Sequence, residues 1–99
     1  MSEEASGFAP PPFKPDEALQ RLKRELRALG LNEREGAFER RSLLMARAAM
    51  DDNTLIAAIA RTPARSPEWR QRTLASSADV RDFVADLKKN IANWTDRDD

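Results

Sequence analysis

The sequence has neither cysteine nor histidine among its 99 residues. Without thiols there are no disulfides and no thiolate nucleophile, and without imidazole the commonest general base and metal ligand is missing. Ordinary zinc sites are excluded with them. The three glycines stand apart from one another, so no phosphate-cradling loop can form, and no serine has a histidine to activate it. Carboxylates are the remaining metal ligands, and hard-cation cages need several of them clustered around turn glycines. The only tight acidic groups, Asp51-Asp52-Asn53 and Asp96-Asp98-Asp99, read as a turn and a solvated tail. The expectation is a non-catalytic chain with no cofactor and no metal.

Long apolar runs are missing too. Nothing approaches the roughly 20 residues that span a bilayer, and the opening MSEEASG lacks the basic-then-apolar order of a signal peptide. A cytoplasmic chain with no membrane partner is expected. Aromatic residues make up only 6% of the sequence against 34% charged, which implies one small domain with a thin core. Homo-oligomerisation would be an economical remedy for such a core.

The clearest positive signal is Ser76 to Trp94. Val80, Phe83, Val84, Leu87, Ile91 and Trp94 recur at spacings that stack on one side of a helix. Ser76 suits the N-cap, with Asp79 three positions on to reach back in a capping box. Such a face is core, and each large side chain on it contributes roughly 1.5–3 kcal/mol on full burial. A second helix is expected from Pro15, with Asp16 and Glu17 in its first turn, an apolar stripe of Ala18, Leu19, Leu22, Leu26 and Leu29, and Gly30 as a left-handed C-cap.

Residues 37–75 decide the fold class. Leu43 to Met50 has helix-forming composition, but on a helical wheel its arginines interrupt every apolar stripe. With period two, Phe38, Leu44, Ala46, Ala48 and Met50 share one side while Glu39, Arg41 and Arg47 share the other, a pattern spoiled by Leu43 and Met45. Asp51-Asp52-Asn53 then supplies turn chemistry before a second run, Thr54 to Ala60. The two prolines in TPARSP predict an exposed loop after Arg61. Trp69 to Ala75 reads as a third strand, with Trp69, Gln71 and Thr73 on one side and Arg70, Arg72 and Leu74 on the other. The expected fold is α+β: two helices, from residue 15 and residue 76, packed on one face of a three-stranded antiparallel sheet. An all-α bundle is the alternative, because alanine content and the Ser66-Pro67-Glu68 helix start keep it open. Residues 1–14, with three consecutive prolines, read as a flexible arm, residues 15–95 as the domain and 96–99 as an acidic tail.

Net charge is zero, yet residues 37–75 carry seven arginines and no lysine against four acids. Arg61, Arg65, Arg70 and Arg72 surround Trp69 in sequence. Arginine beside an indole suits a protein interface, and it also suits phosphates and unstacked bases. These five residues form the candidate binding site. A small adaptor with a protein partner is the leading expectation, with self-association as one form of it, and nucleic-acid binding by residues 61–72 is the alternative. The order of elements is that of double-stranded-RNA-binding domains, whose last helix opens on a basic cluster. Here Asp79 and Asp82 occupy that opening, so membership is not assigned.

Overall fold

The computed structural model describes residues 12–97. The expected arm falls mostly on residues 1–11, outside the described residues. Two helices and five strands follow in the order α1 (Pro15–Ala28), β1 (Asn32–Arg34), β2 (Ala37–Arg40), β3 (Leu43–Asp51), β4 (Thr54–Ala64), β5 (Trp69–Leu74) and α2 (Ser77–Arg97). The strands form one antiparallel meander, β1-β2-β3-β4-β5. The domain is therefore α+β, and the all-α alternative is set aside. The expectation of three strands is corrected to five.

The two extra strands arise from turns that carry weak signals. A single strand was expected near residues 38–50, but the chain reverses at Arg41-Ser42, where both residues have positive φ, 55° and 68°. A two-residue turn with both φ positive is of the primed kind, whose twist matches that of the flanking strands. Asparagine and glycine usually announce it, and here neither is present. At the β1–β2 turn Glu35 and Gly36 take φ of 52° and 83°, with glycine supplying only half of the usual signal.

Met45 broke the alternation for a physical reason. Phe38 pairs with Ala46 and Glu39 with Leu44, so Met45 is an extra residue bulged from β3. The bulge sends Leu44 to the face opposite Ala46, contrary to the alternation read from the sequence. On the other side of β3, Ala46 pairs with Ile59 but Leu44 with Ala64, so residues 60–63 of β4 arch past Met45. Strand β4 consequently runs through Thr62-Pro63, where a loop was expected. Proline is tolerated there because the regular ladder to β5 stops at the Ala60–Trp69 pair and the arch needs no donor from residue 63.

Register partners share a face, and Phe38, Ala46, Ala48, Leu55, Ala57, Ile59 and Leu74 form a common buried cluster with Leu22 and Leu26 of α1 and Phe83, Val84 and Leu87 of α2. The small residues on the central strands let both helices settle close to the sheet, and the helices supply most of the volume. Helix α1 packs on β1, β3 and β4, and α2 on β4 and β5. Phe13, ahead of α1, is half-buried against the same cluster.

The helix ends are tied down by identifiable groups. At the end of α1 the Gly30 amide donates to Arg27 O (2.9 Å) and the Leu31 amide to Leu26 O (3.3 Å), the paired bonds of a Schellman motif. Gly30 has the required φ of 90°. Arg40 reaches from β2 to donate to Leu29 O at 2.9 Å, placing a cation on the negative end of the α1 dipole. Lys23 and Arg27 meet Glu33 of β1, each at 2.9 Å, fastening the short edge strand to the helix. At the start of α2 the Asp79 amide donates to Ser76 Oγ (3.1 Å), as the capping box predicts, while the Asp79 carboxylate accepts from the Ala75 amide (2.9 Å), one residue further back than expected.

Two consequences are open to measurement by chemical denaturation. Replacing Arg41-Ser42 with Asn-Gly puts at both positive-φ positions the residues that adopt that conformation most readily, and is expected to stabilise the domain by about 1–2 kcal/mol. Gly30→Ala is expected to cost about 1–2 kcal/mol, because an alanine at φ 90° is strained and its Cβ would lie 3.2 Å from the Arg40 guanidinium.

Candidate functional site

The pleat divides the five candidate residues. Trp69 pairs with Ala60 and lies with Gln71 and Thr73 on the face away from the helices, whereas Arg70 and Arg72 pair with Ile59 and Ala57 on the helix side. Arg72 is already engaged: its guanidinium is 3.0 Å from Asp86 of α2 and lies 5.4 Å from the centre of the Phe83 ring. Arg61 lies 3.8 Å from Glu68, a loose pair across the mouth of the β4–β5 loop, where the Arg61 amide also donates to Glu68 O. Arg65 is exposed in that loop. Of the five, the fold places one aromatic on the open face and four arginines over the loop and the helix side.

The residue that does meet Trp69 is Arg47. Its guanidinium stacks 4.7 Å from the centre of the indole. The contact crosses β4: Arg47 pairs with Ala58, and Ala58 in turn with Gln71, which places Trp69 diagonally opposite. Ala58 and Ala60 point away from the helices, yet they are 0% and 2% exposed. Their register neighbours on this face are Arg47 and Gln71 for Ala58 and Trp69 for Ala60, large side chains placed to do here what helices do on the other face. Around them Ala37, Leu44, Ala49 and Ile56 join in a shallow hollow of about 440 Å3, with Glu35 and Asp51 at one end. Such an exposed cation–π pair contributes about 0.5–1 kcal/mol, and among the described residues Arg47 has no carboxylate partner.

The alternation placed Arg47 on the polar side of β3, but it could not reveal Trp69 as its neighbour. Only the register, with β4 between β3 and β5, brings the two together.

Topology also sorts the charges. In a meander the turns alternate between two ends. The β1–β2 turn, the β3–β4 turn and the β5–α2 junction gather Glu35, Asp51, Asp52 and Asp79, with Arg34, at one end. The β2–β3 turn and the β4–β5 loop gather Arg40, Arg41, Arg61, Arg65 and Arg70, with Glu68, at the other. A chain of zero net charge is therefore polarised along its strands. Among the described residues no three carboxylates converge as a metal-holding group, and no helix is long and apolar enough to cross a membrane.

A double-mutant cycle with Arg47→Ala and Trp69→Ala, read by urea denaturation, is expected to give a coupling of about 0.5–1 kcal/mol; additive effects would show that the stack contributes nothing. No family model, curated protein or solved structure matches this chain.

Proposed function

We infer that the protein is a small non-catalytic adaptor that binds a partner protein on the helix-free face of its sheet. The observation that carries this reading is the Arg47–Trp69 stack standing over a hollow of small apolar residues. Tryptophan and arginine are the side chains most enriched among energetically dominant interface residues. A rigid indole already held by a guanidinium loses little conformational freedom when a partner closes over it, so less of the contact energy is offset. The partner that fits brings apolar side chains to Leu44, Ala49 and Ile56 and a carboxylate or carbonyl to Arg47. The absence of imidazole and thiol side chains supports a binding role over a catalytic one, and a cytoplasmic setting accords with the lack of cysteine.

Nucleic-acid binding is the second reading, favoured by the arginines gathered at the β4–β5 end. It is the weaker one, because Arg72 and Arg61 already have carboxylates beside them and Trp69 lies on a different face from Arg70 and Arg72. Self-association through the open face is a form of the first reading, with a second copy as the partner.

The test is affinity capture from a lysate of the native cell with the wild-type chain, the Arg47→Ala/Trp69→Ala variant and Arg70→Ala in parallel. Proteins enriched on the wild type should fall by about tenfold or more on the double variant and persist on Arg70→Ala. Equal recovery on all three would remove the sheet face from the proposal. Labelled oligonucleotides titrated at low salt separate the second reading, since phosphate contacts weaken steeply as salt is added.

A further inference from the structure

A second concavity lies at the basic end, remote from the open face. It has its origin in the bulge: residues 60–63 of β4 arch past Met45, and the last turns of α2 pass beside the arch. Arg40, Arg41, Leu43, Met45, Pro63 and Trp94 line the resulting groove, which measures about 410 Å3, within the roughly 300–1,000 Å3 usual for binding clefts.

The groove has an apolar floor and a basic rim. Leu43 is 37% exposed and is the only large hydrophobic side chain among the described residues to stand so far into water. Trp94, half-buried against the core cluster, continues that surface. Arg40 is committed to the α1 carboxyl end through Leu29 O. Arg41, exposed at the β2–β3 turn, has no carboxylate partner among the described residues. The neighbouring Arg61, Arg65 and Arg70 outnumber Glu68 of the same loop.

We propose that this groove receives a short acidic and apolar peptide segment of a partner protein, its large side chains against Leu43, Met45, Pro63 and Trp94 and its carboxylates toward Arg41. Apolar burial supplies affinity, and the complementary charge selects and steers the segment. A second copy related by a two-fold axis would set arginine against arginine across the contact. A nucleic-acid strand would use the arginines and Trp94 but leave Leu43, Met45 and Pro63 without a role. The groove shares no side chain with the Arg47–Trp69 face, so this proposal goes beyond the adaptor reading and the two can fail separately.

The chain has two tryptophans, so in a Trp69→Phe background Trp94 is the sole indole reporter. The probes are a short synthetic peptide of glutamate, aspartate, leucine and phenylalanine, the same peptide with lysine for every acid, and the same peptide with serine for every apolar residue. The first should change Trp94 emission saturably, and the other two should not. Arg41→Asn keeps a residue suited to positive φ while removing the charge, and Leu43→Ser removes the apolar floor. Each should weaken the acidic peptide about tenfold, a loss of about 1.4 kcal/mol, with circular dichroism unchanged. No saturable response, equal binding of the lysine or serine peptide, or unaltered affinity in both variants would overturn the proposal. So would displacement of the peptide by a single-stranded oligonucleotide, or a concentration-dependent mass increase of the peptide-free protein that Arg41→Asn abolishes.

Discussion

The structure depends on burying β4 from both sides. A sheet with helices on one face normally presents polar side chains on the other, yet here Ala58 and Ala60 on the outer face are as dry as Ala57 and Ile59 on the inner one. Alanine makes this feasible, since its small side chain can be screened by a neighbour's stem. On the inner face the same economy of size lets Leu22, Leu26, Phe83 and Leu87 approach the backbone of the sheet. A thin aromatic complement is therefore enough for the core, because the volume comes from two helices and the sheet yields space.

The helices were legible in the sequence because their signals agree with one another. For α2, periodicity, the Ser76 cap and the Asp79 carboxylate all point to the same start, and in the fold Val80, Phe83, Val84 and Leu87 are buried. For α1, Pro15 and Gly30 mark the ends. The Asp51-Asp52-Asn53 hairpin and the two sides of β5 were legible for similar reasons. Strands β1 and β2 were not, because Arg41 and Ser42 take left-handed conformations through the demands of the sheet around them, and their own chemistry does not favour it. Met45 could be seen to break an alternation, but a break alone does not distinguish a bulge from a helix. Thr62-Pro63 was hidden by the rule that proline interrupts strands, which fails beside a bulge.

The candidate site was legible in part. Trp69 lies on an open surface, as an indole at the start of an edge strand can, but adjacency in sequence is a poor guide to company in a sheet. Residues 70 and 72 turn to the side opposite 69 by the period of two, while Arg47, more than twenty positions earlier, comes to the ring across β4. The same folding-back collects Leu43 and Trp94 from distant parts of the chain. Charge polarity was equally hidden, since it follows from which end of a meander each turn occupies, and a linear charge count reports only the neutral total.

The meander has a kinetic meaning as well. Each strand bonds only to its neighbours in sequence, so every ladder closes through a short loop and little chain entropy is spent on bringing distant segments together. The contact that spans nearly the whole domain is that between α1 and α2. Topologies dominated by local pairing fold quickly for their size. A nascent chain can therefore assemble the sheet in order as it emerges, with docking of α2 as the step that joins its two ends.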